Sequence, residues 1–192
     1  MYLDAILIFL KHLDTSWFYK INLGLHNSLF DKIMPAASWV GNGGLLWIAF
    51  IVLLFLFGNR ELKRVSLLML ISLLGSFLIG EEFLKHLFQR PRPFMSLPGV
   101  DLLVMAPHGY SFPSGHASSA FAAGLVLARK VPRLSLPVIA LAALIAFSRV
   151  YVGVHYPLDV ISGVLTGLLC AVLVLRLESR MVFLNSRFDR KI

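Results

Sequence analysis

Five stretches of this 192-residue chain are apolar for about the length of a bilayer crossing: residues 39–58, 65–84, 116–130, 134–152 and 158–177. A helix rises 1.5 Å per residue, so roughly 20 residues cross the hydrocarbon core. No water is present there to satisfy backbone polar groups, so a run of this kind must close its hydrogen bonds within itself, as an α-helix. The expected fold class is therefore all-α, a polytopic transmembrane bundle of about six helices. Five spans are clear from the runs. The sixth element lies in residues 16–38, "SWFYKINLGLHNSLFDKIMPAAS", which mix polar residues with aromatic anchors. They read either as a weak first span or as a second interfacial helix, after a short amphipathic helix at 3–13. The run at 116–130 is short, and its "HASSAFAAG" suits close helix–helix packing better than lipid contact.

Composition agrees. Hydrophobic residues make up 58% of the chain and charged ones 15%, against about a quarter charged in soluble domains. The net charge of +8 would suggest nucleic acid in a soluble protein. Here the basic residues cluster at the ends of apolar runs, which points to anionic lipid and cytoplasmic anchoring and to no nucleic-acid partner. The single cysteine, Cys170, lies inside an apolar run, so no intrachain disulfide is possible. The start "MYLDAILIFLKHLD" has an acid at Asp4 and no small-residue cleavage site, unlike a cleaved signal peptide. No internal repeat or low-complexity linker is evident. The expected organisation is an interfacial segment or first span at 1–38, a core at 39–177 and a basic cytoplasmic tail at 178–192.

The positive-inside rule orients the chain. Arg60, Lys63 and Arg64 mark one connection and Arg129, Lys130 and Arg133 another; Arg176, Arg180, Arg187, Arg190 and Lys191 mark the tail. All three segments fall on one side, the cytoplasm. Residues 85–115 and 150–157 then share the opposite, extracytoplasmic face.

Chemistry collects on that shared face. Lys85, Arg90 and Arg92 are cations placed against the topological bias. Pro113–Ser114–Gly115–His116 reads as a helix start, with Ser114 able to cap. Free N–H groups at a helix start suit an anion such as phosphate. In "SRVYVGVHYPLD", Asp159 follows His155 by four residues and can orient its ring. His and Asp alone are too few for a metal site. Lys85, Arg92 and Arg149, a helix start, His116, His155 and Asp159 share this face and suit phosphoryl transfer, which depends on positioning and charge stabilisation.

These motifs resemble the type 2 phosphatidic acid phosphatase (PAP2) superfamily of integral-membrane lipid phosphatases. The pattern K-x6-R-P matches Lys85 with Arg92–Pro93, P-S-G-H matches residues 113–116, and S-R-x5-H-x3-D matches Ser148–Arg149, His155 and Asp159. The resemblance covers roughly residues 39–177. It implies that His155 is a nucleophile forming a phosphohistidine and that Asp159 orients it. It implies that His116 protonates the leaving oxygen and then activates water. Lys85, Arg92, Arg149, Ser114 and Gly115 would bind the phosphate, with no metal and no cofactor. The implied partners are membrane lipids and a lipid phosphate or pyrophosphate: undecaprenyl pyrophosphate, phosphatidylglycerol phosphate, phosphatidic acid or lipid A 1-phosphate. Many bacitracin-resistance-type undecaprenyl pyrophosphatases carry Asp where this chain has Gly115, which leans toward the phosphatidylglycerophosphate or lipid A kind, though undecaprenyl enzymes with Gly there are also expected. The expected location is a bacterial inner membrane with the site facing outward. Two other readings compete: a vanadate-binding haloperoxidase relative, and a non-catalytic membrane protein that binds or transports phospholipid.

Other polar residues fit no motif position. His12, His26, His86 and His108 are among them. Glu81 and Glu82 lie one turn before Lys85 and are expected to pair with Lys85 or His86. Arg90 is placed to meet a substrate headgroup, and residues 94–112 are the expected seat of headgroup selectivity.

Overall fold

The computed structural model describes residues 2–188, all of whose regular structure is helical. Helix α1 is Tyr2–Asn22, α2 is Phe30–Val40, α3 is Leu45–Phe57 and α4 is Arg60–Phe77. A π-helical segment, Leu78–Leu84, and a short turn of helix, Lys85–Phe88, extend α4. Then come α5, Gly115–Lys130, α6, Ser135–Tyr151, and α7, Pro157–Phe188. Three segments are long and apolar enough to cross a membrane: residues 60–96, 132–151 and 157–182. The α2–α3 pair passes the same test only as one broken unit.

Local chemistry sets these boundaries. Asn59 caps α4, its side-chain oxygen accepting from the Leu62 N–H at 3.0 Å. Asn27 does the same before α2, accepting from Leu29 and Phe30. Pro157 opens α7, where a missing N–H costs nothing. Between α2 and α3 the chain reads Gly41–Asn42–Gly43–Gly44, and Gly43 and Gly44 take φ of 57° and 69°. A residue with a Cβ is strained there.

Three expectations about the elements are corrected. Residues 39–58 are not one straight span, because the left-handed glycines break it with a bend of 45°. The N-terminal region breaks at 23–29 rather than near residue 14, since α1 runs unbroken through Asp14 and Ser16. The last helix continues well past residue 177 to Phe188. Arg190 and Lys191 of the basic tail lie outside the described residues.

Helix α5 is the central post, packed against α4, α6 and α7. Ala117, Ala120, Ala122, Ala123, Val126 and Leu127 are fully buried along it. Trp47, Met69, Ala142 and Ile145 from its neighbours complete this core. The contact with α7 is backbone to backbone. A Cβ on Gly163 would collide with the Ser114 carbonyl, and one on Gly167 with the Ser118 carbonyl. Small residues four apart on both helices allow this approach.

The bundle has two polar ends. At one, the nearly buried Glu178 of α7 pairs with Arg64 of α4 at 3.0 Å and with Lys130 of α5. Two of the three basic segments in the sequence therefore meet at one end. At the other lie the end of α4, the start of α5, the end of α6 and the start of α7.

Candidate active site

Four chain segments converge at this second end. The π-helical turn carries Glu81 and delivers Lys85. Gln89, left-handed at φ 45°, stops the short helix and sends Arg90 and Arg92 back across the end of the bundle. The start of α5 supplies Ser114, Gly115 and His116. The end of α6 supplies Arg149, and the tight connection to α7 supplies His155.

Lys85, Arg92, Gly115, His116, Arg149 and His155 all line one cavity of about 390 Å³. Ser114 is buried beside it, and Asp159 is buried behind His155. The eight residues singled out from sequence are thus brought together. The same cavity is walled by Gly41, Asn42, Gly43 and Gly44, and it runs between Ile48 of α3 and Leu73, Leu74 and Phe77 of α4. Gly41 permits this: a Cβ there would strike the Ile145 side chain and stand 3.0 Å from the His116 ring.

The guanidinium of Arg92 is fixed by three carbonyls: Gly109 at 3.0 Å, Val154 at 3.1 Å and His108 at 3.2 Å. Its Nη1 also lies 3.2 Å from His155 Nε2. Arginine only donates, so Nε2 carries the lone pair and Nδ1 the proton. Nδ1 faces Ser111 Oγ at 3.5 Å and Asp159 Oδ2 at 3.6 Å. Burial is the first cause that pushes the His155 imidazole down to about 4, with Asp159 opposing and Arg92 and Arg149 adding to the shift. The ring is therefore neutral at ordinary pH, with its lone pair on the cavity side.

Asp159 is held on every side. Oδ2 accepts from the Ser111 hydroxyl and from the Tyr156 N–H at 2.9 Å, and Oδ1 accepts from Arg90 at 2.6 Å. Arg149 Nη1 donates to the Ser38 hydroxyl of α2.

Of the five buried side-chain polar atoms without a protein partner among the described residues, three surround this cavity: Ser114 Oγ, His116 Nε2 and Arg149 Nε. Ser114 occupies the cap position of α5 in extended conformation, yet its side chain does not cap the helix. Buried polar atoms are almost always paired. Three orphans around one cavity, beside two further cations and a helix start, fit a small multivalent anion. A lone pair on His155 Nε2 in the same cavity is a nucleophile placed beside that anion.

Several features were not assigned from sequence. Ser111 was visible in the polar cluster before α5, but nothing in its spacing linked it to Asp159. The glycine break of α2–α3 was hidden inside an apolar run. Glu81 does pair with Lys85, at 2.6 and 2.8 Å. Its carboxylate also fills the space that a Cβ on Gly115 would need. Arg90, expected to face a headgroup, instead bridges Asp159 and Asp14. His86 is exposed, with Nδ1 2.7 Å from the Glu82 carbonyl, and is not part of the cavity wall.

The PAP2 superfamily profile matches residues 65–182. An undecaprenyl-diphosphatase of Sulfolobus acidocaldarius is 35% identical over 70% of this chain, which spans 64% of that protein. A decaprenylphosphoryl-5-phosphoribose phosphatase of Mycobacterium tuberculosis is 37% identical over 77% of this chain and 82% of its own length. Among solved structures, Aquifex aeolicus LpxE superposes with a TM-score of 0.76 at 31% identity, covering 85% of this chain and 95% of that one.

Proposed function

The chain belongs to the PAP2 superfamily, and from that premise we propose that it is a membrane phosphatase that hydrolyses a lipid phosphate or pyrophosphate through a phosphohistidine, without a metal. The observation that carries this is the cavity in which the lone pair on His155 Nε2 meets three unpartnered polar atoms and three cationic side chains. Lys85, Arg92 and Arg149 take the negative charge of the phosphoryl oxygens, which metal ions carry in many other phosphoryl transfers. Ser114 Oγ and the Gly115 N–H complete the cradle.

His155 Nε2 attacks phosphorus as the bond to the leaving oxygen breaks, and protonated His116 gives that oxygen its proton. The phosphorylated ring gains positive charge, which Asp159 stabilises across Nδ1–H. His116, now neutral, takes a proton from water. The resulting hydroxide attacks phosphorus, the N–P bond breaks, and orthophosphate and free His155 are restored.

The apolar wall of Ile48, Leu73, Leu74 and Phe77 supports a lipid rather than a soluble phosphate ester. The polyprenyl-phosphate relatives support undecaprenyl pyrophosphate first, with phosphatidylglycerol phosphate, phosphatidic acid and lipid A 1-phosphate as the other substrates to try. In this reading α1, the α2–α3 pair, α4, α5, α6 and α7 make six crossings of a bacterial inner membrane, with the cavity at the extracytoplasmic end. The test is phosphate release from these four lipids by purified protein in detergent with excess chelator. Release from at least one, lost in His155→Ala, is expected. Release only after magnesium is added, or undiminished in His155→Ala, overturns the mechanism.

A further inference from the structure

Asp14 sits on α1, far in sequence from every motif and outside the matched residues 65–182. An acid in an apolar N-terminal helix is expected at the surface, yet the Asp14 side chain is fully buried. Both its oxygens are committed. Oδ1 accepts from the Leu158 N–H at 2.8 Å, one of the N–H groups that a helix start leaves unpaired. Oδ2 accepts from Arg90 Nη2 at 2.6 Å. The other arm of the Arg90 fork reaches Asp159 Oδ1, also at 2.6 Å. The Arg90 Cζ lies over the Tyr156 ring, 3.8 Å from its centroid, a cation–π contact that helps hold the fork.

We propose that Asp14, acting through Arg90, is a positioning residue for the His155–Asp159 pair. This rests on the phosphatase reading above. Asp14 touches no cavity atom and acts in two ways. It fixes the backbone of residue 158, next to Asp159, and it shares the charge of Arg90. With two carboxylates on one guanidinium, Asp159 keeps enough negative charge to stabilise a positive ring on His155. If Asp14 were neutral, Arg90 would bear on Asp159 alone and offset that charge. An acid needed only to anchor α1 would gain as much from any polar group of the bundle. This one contacts the two residues that flank His155 in function, the start of α7 and the partner of Asp159. It also makes the first helix part of the reaction machinery as well as a crossing.

The test combines kinetics with a readout that does not require turnover. In Asp14→Asn, kcat is expected to fall about 10- to 100-fold, the scale seen when orienting outer groups are removed, with KM unchanged. Arg90→Lys, which keeps the charge but not the fork, is expected to lose activity to a lesser degree. In 15N-histidine-labelled protein, the His155 Nδ1 resonance, identified by its absence in His155→Gln, is expected to move in both variants. An unmoved Nδ1 resonance in folded Asp14→Asn overturns the inference, and so does a kcat equal to wild type. If Asp14→Asn does not fold, Arg90→Lys decides by the same two readouts. The Nδ1 resonance reports on the relay even if none of the tested lipids is hydrolysed, so failure of the phosphatase reading and failure of the relay are told apart.

Discussion

In the proposed reaction His155 attacks and His116 hands a proton to the leaving oxygen, and the second duty matters only when the leaving group is poor. His116→Ala should therefore lower kcat/KM, which reports transfer to His155, on an alkyl phosphate by about 10²–10⁴-fold, the range for general acid–base catalysis, and far less on an aryl phosphate. Comparing the two substrates checks this; equal losses would remove the acid role from His116. His155 gives a pH signature. Burial holds its imidazole near 4 against an ordinary value of 6.5, so between these values the folded protein excludes a proton that the unfolded chain would bind. The His155 contribution to stability thus declines as pH falls from 6.5 toward 4, while the nucleophile stays neutral. The acid limb of kcat/KM belonging to His155 should lie near pH 4 and stay there when the phosphate pKa of the substrate is changed; a fixed limb near 6.5 would contradict the assignment. The eight residues that meet in or beside the cavity could be picked out in sequence because the family resemblance supplies their motif spacing. Asp14, Ser111 and the position of Glu81 over Gly115 could not. Their partners are 76, 48 and 34 residues away in the chain, and no local pattern encodes such pairs.

At the scale of elements, the start of α5 and the turn into α7 bring His116 and His155 to one cavity, and glycines set how closely the two helices approach. Gly163 faces the Ser114 carbonyl and the Ala117 side chain, and Gly167 faces Ser118 and Ala122. Enlarging either forces the helices apart. Gly167→Leu should destabilise the protein by about 1–3 kcal/mol, the usual scale of overpacking, read as a lower unfolding midpoint in detergent. Gly163→Ala, one turn closer to the site, should cost more activity than Gly167→Ala because it displaces Ser114 directly. Equal losses of activity would mean that the start of α5 does not depend on this contact. The existence and helical type of the long apolar runs could be read from sequence, since hydrocarbon leaves the backbone few choices. The break in α2–α3 could not. "WVGNGGLLW" keeps its apolar average, and glycines are common in membrane helices that stay straight. What the glycines serve there is tertiary: Gly41–Gly44 line the cavity, and Ile145 and His116 stand where a Cβ on Gly41 would be.

Across the whole molecule, the ion cluster of Glu178, Arg64 and Lys130 marks one end and the cavity the other. The proposed orientation puts the cavity outside. In a Cys170→Ala background, a cysteine at the exposed Ser96 should react with an impermeant thiol reagent in intact cells. One at Ser135 should react only after the membrane is opened, and the reverse pattern would place the cavity on the cytoplasmic side. Whichever side it is, the cavity belongs to a single end of a bundle whose centre is filled by alanines, Trp47 and Met69. A lipid headgroup has no polar route through that core. On the proposed phosphatase reading, the protein would draw down only the substrate lipid of one leaflet and leave its lipid product in that same leaflet. Hydrolysis would then set up a difference in composition between the two halves of the bilayer, with the return of the product to the other half left to a separate transporter.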